Sequence, residues 1–176
     1  MKQLRRIGLF GGSFDPVHCE HVRMAELART KCGLDAVFFI PARHAPHKRT
    51  AQPAPARDRA AMVALALRGR PGLFVDAYEL RRTGTTYTYQ TVRHFARRFP
   101  GARLFFIMGS DSFQELHTWM RHEDILARCT LIVVERTPVS STDIRRRLAG
   151  GRSAGNRLAP AVTKYIRKHH LYENDH

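Results

Sequence analysis

The stretch GGSFDPVHCEH, residues 11–21, sets two glycines, a serine and two histidines three residues apart directly behind the apolar run IGLF. Paired glycines let a backbone turn tightly and approach a ligand closely. A helix opening near Cys19 would add free N–H groups and the positive end of its dipole. Together they outline an anion site. His18 and His21, at i and i+3, fall on one side of the first helical turn and face whatever the loop holds. Neither GxGxxG nor GxxxxGK[ST] is present, so the stretch is not an ordinary dinucleotide fingerprint or P-loop. Cys19 and Glu20 are metal-ligand types but belong to other faces of that helix, and HExxH is absent, so no residue is assigned to a metal. Taken alone, the loop supports an anion at a helix start and leaves capping or surface roles open for both histidines.

Such a loop needs a strand before it and a helix behind it, and the chain supplies both repeatedly. Short apolar, β-branched runs at 6–10, 36–40, 73–75, 103–108 and 130–134 read as buried strands. Amphipathic stretches near 20–31, 57–68, 88–98 and 122–128 alternate with them. SSTDIRRRL then starts a further helix with a Ser/Thr cap, and 159–171 closes the chain as a helix with Pro160 near its first turn. The alternation predicts an α/β fold: a doubly wound parallel sheet in a single domain, residues 1–176, with C-terminal helices. Ligands in such sheets bind beyond the carboxyl ends of the strands. The loops at 11–21, 41–49, 83–88, 109–119 and 135–142 gather at that edge.

Bulk properties narrow the partners. Thirty Lys and Arg against 15 Asp and Glu give a net charge of +15, which attracts polyanions, whether phosphorylated small molecules or nucleic acid. The excess is scattered in arginine pairs such as Arg97 and Arg98 rather than gathered in a tail, so no nucleic-acid partner is expected. Cys19, Cys32 and Cys129 are odd in number and form no CxxC, which argues against disulfides and suits a reducing compartment. No apolar run of membrane-spanning length and no signal-peptide pattern is present, and the expected location is the cytoplasm.

Motifs in several parts of the chain sharpen the loop's meaning. GGSFDPVHCEH resembles the GG(T/S)FDPxHxGH signature of nucleotidyltransferases that move adenylyl groups from ATP, and SSTDIR (140–145) resembles their ISSTxIR signature. PARHAPHK (41–48), TTYTYQT (85–91) and FIMGSDSFQELHTW (106–119) resemble segments of one branch, the bacterial nicotinate-mononucleotide adenylyltransferases. The resemblance runs in order from residue 6 to residue 172 and implies a Rossmann-like nucleotidyltransferase fold.

That family couples ATP to nicotinate mononucleotide, giving nicotinate adenine dinucleotide and pyrophosphate. The resemblance implies that His18, His21 and Arg145 act on the phosphates at the transferring centre. It also implies that Gly11, Gly12, Ser13, Phe14, Lys48, Asp111, Ser141 and Thr142 bind ATP, and that Tyr87, Thr88 and Trp119 bind the mononucleotide. Magnesium is implied through the ATP phosphates and water rather than a protein cage. His44, His47, His117 and His122 lie in or near these loops, within reach of a ligand, and most of them are read as surface histidines. The alternatives are another acceptor, nicotinamide mononucleotide or phosphopantetheine, or a basic nucleic-acid-binding domain without catalysis.

Two departures stand out. Position 20 is Glu where the family usually has Gly, and its side chain is expected to point away from the phosphates. Only Glu135 to Val139 separate LIVV from SSTDIR, where the family usually carries a longer stretch with another strand. The hold on adenine and the terminal phosphates is what the short connection puts at issue.

Overall fold

The structure, a computed structural model, describes residues 4–43, 53–135 and 137–173. Five parallel strands form one sheet: β1 (Arg6–Gly12), β2 (Ala36–Pro41), β3 (Leu73–Val75), β4 (Arg103–Gly109) and β5 (Cys129–Val134), in the order β3-β2-β1-β4-β5. Period-two alternation sends Phe10, Val37, Phe39, Phe105 and Ile107 to one face and Ile7, Leu9, Phe38, Ile40, Phe106 and Met108 to the other. Both sets are buried, which is why the strands read as unbroken apolar runs. The first face is covered by α1 (Cys19–Lys31), α2 (Ala56–Ala66) and α7 (Pro160–Lys168), the second by α3 (Thr88–Arg98) and α5 (His122–Leu126).

The predicted elements are all present, with ends shifted by up to three residues. β1 runs two residues beyond its apolar run into Gly11 and Gly12, because both still pair with β2, opposite Ile40 and Pro41. The 109–119 loop contains a short helix, α4 (Ser110–Gln114), and a 3₁₀ turn at Leu116–Thr118. The last helix stops at Lys168, with the αL residue His170 just beyond it.

Strand order places the binding edge. From β1 the sheet builds outward through β2 and β3 on one side and through β4 and β5 on the other, so β1 and β4 flank the topological switch point. Their pairing ends at Leu9↔Phe106, although β1 continues to Gly12 and β4 to Gly109. The two strand ends therefore splay and open a crevice.

Scattered arginines, unexplained by a phosphorylated ligand alone, lie over aromatic rings. Arg98 lies 5.1–5.7 Å from the rings of Phe38, Phe95 and Phe99 while bonding Asp76 at 2.5 Å. Arg93 and Arg121 flank Tyr89 and share the carboxylate of Asp124. No described helix is long and apolar enough to cross a membrane.

Candidate active site

The crevice holds a cavity of about 80 Å³ between two loops. Gly11, Gly12, Ser13, His18 and His21 line it from the β1–α1 side, and Gly109, Asp111, Ser112 and Trp119 from the side that follows β4. The fold thus brings together seven of the residues singled out from sequence: Gly11, Gly12, Ser13, His18, His21, Asp111 and Trp119.

α1 begins at this cavity because His18 has an extended backbone and caps the helix. The His18 N–H donates to His21 Nδ1 at 3.2 Å, which leaves the proton of a neutral His21 ring on Nε2. The two imidazoles stack at 3.7 Å, with His18 only 2% exposed and His21 edge-on to Phe14 at 5.1 Å. Phe14 has a left-handed backbone (φ 48°), and its ring lies so close to Gly12 that an added Cβ there would sit 3.1 Å from it. Trp119 meets Phe106 edge-on at 6.1 Å, which holds the indole at the cavity wall.

The far end of the chain closes on the same loop. α6 (Ser141–Ala149) is capped by Ser140, whose Oγ accepts from the Asp143 N–H at 3.1 Å. Its first turn packs on residues 15–16: the Ser141 hydroxyl donates to the Pro16 carbonyl at 3.0 Å and Arg145 Nη1 to the Asp15 carbonyl at 2.6 Å. Arg145 also lies 3.7 Å from the buried Asp15 carboxylate and reaches Thr142 Oγ1 at 3.3 Å. Signatures more than 120 residues apart in sequence are therefore in contact, with Ser141, Thr142 and Arg145 beside the loop rather than in the cavity wall.

Other predicted residues fall elsewhere. Tyr87 and Thr88 start α3, half-buried, and do not line this cavity. Lys48, with His44 and His47, lies outside the described residues. His117 is exposed and bonds the Gln114 carbonyl at 3.0 Å through Nδ1, a surface role as expected. Among the described residues no group of three or more His, Cys, Asp or Glu is arranged to hold a metal ion.

Glu20 points away from the cavity, as expected, and is nonetheless 4% exposed. Its carboxylate accepts from Arg23 Nε and from the hydroxyl of Thr137, while Arg23 Nη2 donates to the Glu135 carbonyl at 3.1 Å. Both departures from the family pattern are two ends of one contact: the acidic side chain on α1 fastens the short connection between β5 and α6.

Residues the sequence reading missed support the loop from behind. Asp15 Oδ1 accepts from the Ala54 N–H at 3.1 Å and from the Tyr172 hydroxyl at 2.7 Å. Burial, with the Asp15 charge beside it, holds the Tyr172 hydroxyl protonated far above the usual phenol range. Arg59 is 4% exposed inside α2. Its spacing is a usable signal: Met62, Val63 and Ala66, at i+3, i+4 and i+7, are all buried, so Arg59 shares their inward stripe.

Glu79, in the 3₁₀ turn Glu79–Arg81 that precedes α3, is a further buried carboxyl. Burial pushes it up to about 7, against the opposing donation from the Thr91 hydroxyl at 2.7 Å. The folded chain then binds a proton over pH 5–7 that the unfolded chain has released. Stability contributed at low pH is lost as the pH rises, by about 2 kcal/mol across that window. Glu79→Gln should flatten this slope in urea titrations at pH 5, 6 and 7; an unchanged slope would assign it to other groups.

A five-stranded parallel sheet with a glycine–histidine loop at its switch point, closed by a capped helix from the chain's far end, defines a nucleotidyltransferase. The cytidylyltransferase-like family model matches residues 9–147. Relatives named "probable nicotinate-nucleotide adenylyltransferase" include those of Pelobacter propionicus (37% identical over 95% of this chain and 98% of the relative), Neisseria meningitidis serogroup B (37%, 97% and 100%) and Thermus thermophilus (40%, 95% and 99%). The chain belongs to the cytidylyltransferase-like family and, within it, to the nicotinate-nucleotide adenylyltransferases. The fold matches a Plasmodium falciparum nicotinic acid mononucleotide adenylyltransferase complexed with NaAD, at TM-score 0.78 and 18% identity over 96% of this chain and 97% of that one. The first two alignments span 211 and 202 positions, more than the 176 residues here, so those relatives carry internal residues that this chain lacks.

Proposed function

We propose that this chain transfers the adenylyl group of ATP to nicotinate mononucleotide, releasing nicotinate adenine dinucleotide and pyrophosphate, as one catalytic domain acting in the cytoplasm. The observation that carries the reading is the meeting of the 11–21 loop, the 109–119 segment and the first turn of α6 at the β1/β4 switch point.

The attacking 5′-phosphate is already anionic, so no protein base is needed. A bond forms from its oxygen to the α-phosphorus as the bond to the pyrophosphate oxygen breaks, and that oxygen takes up the negative charge. The residues' task is to align the two phosphates and neutralise the charge that builds. His18 and His21 are placed to donate to phosphate oxygens, with the backbone from Gly11 to Phe14 as the cradle. Arg145, Ser141 and Thr142 take the β- and γ-phosphates at the α6 N-terminus, with Arg145 and Ser141 exchanging the bonds they now make to residues 15–16. Asp111 serves the nucleotide ribose or base, and Trp119 offers its ring to the pyridine. Tyr87 and Thr88 contribute backbone donors to the nicotinate carboxylate, and Lys48 a cation over the phosphates.

Asp111 is the one carboxylate lining the cavity among the described residues, which fits magnesium carried by the triphosphate and water. Bound there, magnesium would neutralise the departing pyrophosphate.

Protein, ATP and magnesium incubated with nicotinate mononucleotide should release pyrophosphate, and nicotinamide mononucleotide or phosphopantetheine far less. No release with any acceptor overturns the enzyme reading; release with another acceptor alone overturns the substrate.

A further inference from the structure

The buried guanidinium of Arg59 lies behind the phosphate loop. It spends its donors on three backbone carbonyls from separate segments: Nη1 on Ser13 at 2.6 Å, Nε on Ala54 at 3.0 Å and Nη2 on Arg43 at 3.1 Å. Burial lowers the group below the ordinary arginine range, outweighing the charge of Asp15, which raises it. A charge held mainly by carbonyls is an expensive way to fill a core, and an apolar side chain would serve packing as well or better.

What the charge secures is direction. The peptide plane between Ser13 and Phe14 is rigid, so a carbonyl drawn inward to Arg59 sends the Phe14 N–H the opposite way. Arg43 and Ala54 flank residues 44–52, and Ala54 is gripped twice: its carbonyl by Arg59, its N–H by Asp15 of the phosphate loop. Arg43 continues the chain of contacts, with Nη1 on the Arg82 carbonyl at 2.7 Å.

We infer that Arg59 is a positioning residue of the adenylyl-transfer site: it fixes the Ser13–Phe14 peptide so that its N–H serves the phosphates, and it ties that loop to both flanks of residues 44–52. This rests on the adenylyltransferase reading, and wild-type turnover is measured first, so that failure of that reading shows there. Lysine keeps the charge but cannot span three carbonyls in a fixed fork. Arg59→Lys should therefore lower kcat by about 30-fold or more, as misplacement of a reacting group does, with KM for ATP and mononucleotide within about threefold of wild type. A purely structural role predicts a lower melting temperature with kcat of the folded protein preserved; kcat within about threefold of wild type would overturn the inference.

Should the variant not fold, the wild type decides. Adding α,β-methylene-ATP with magnesium should slow hydrogen exchange at the Ala54 amide together with the 11–18 loop. Protection confined to 11–18 would show that the loop and the flank are not coupled, and would equally overturn it.

Discussion

His18→Ala should reduce kcat for pyrophosphate release by about a thousandfold, the scale of losing a donor aimed at developing charge. The side chain is 2% exposed and stacked on His21, so its position is fixed before substrate arrives and needs no rearrangement in the transition state. Alanine would also weaken the start of α1, by about 1 kcal/mol for a lost cap, too little to unfold the domain. Thermal unfolding with and without ATP separates the two effects. His18→Gln offers a neutral N–H donor, so partial recovery would assign the role to donation, and none would assign it to charge. Activity near wild type in the alanine variant would remove His18 from the centre and leave it a helix cap.

How far the sequence foretold this site depends on the distance over which each contact is made. The five strands were legible because helices cover both faces, which demands apolar residues at successive positions. The helix starts at Cys19 and Ser141 were legible from their flanking residues alone. The 11–21 loop was also local: its glycines, serine and histidines lie within a few residues, and the fold needed only to carry β4 beside β1 to complete the cavity. Contacts set by tertiary packing were not legible. Arg59 shares the inward stripe of ARDRAAMVALA, but the carbonyls of Ser13 and Arg43 that it bonds cannot be read from that spacing, and Tyr172 meets Asp15 across 157 positions. Tyr87 and Thr88, which the resemblance links to the mononucleotide, begin α3 outside the lining of this cavity. Glu20 shows the same limit: its type was conspicuous, but among its partners Thr137, whose hydroxyl donates to its carboxylate, lies 117 residues away.

Those partners make Glu20→Gly the second large effect. The connection from β5 to α6 must end with Ser140 capping the helix and Ser141 seated against Pro16, and Glu20, through Thr137 and Arg23, fastens its middle. Arg23 is half-exposed, so its ion pair is screened and contributes 1 kcal/mol or less. The acceptance from Thr137 is a part-buried hydrogen bond to a charged group, about 2 kcal/mol, and a helical glycine adds a further cost of up to about 1 kcal/mol. Glu20→Gly should therefore lower stability by about 3 kcal/mol in urea titrations. Because the loosened segment sets the first turn of α6, KM for ATP should rise by about tenfold, the equivalent of one lost 1.4 kcal/mol contact, with KM for the mononucleotide unchanged. Glu20→Gln retains an oxygen for Thr137 but gives up the charge that strengthens that bond as well as the screened pair with Arg23, so it should fall between the glycine variant and wild type. If the glycine variant matches wild type in both stability and KM for ATP, the connection holds its own shape. The acidic residue would then be tolerated at this position rather than needed there.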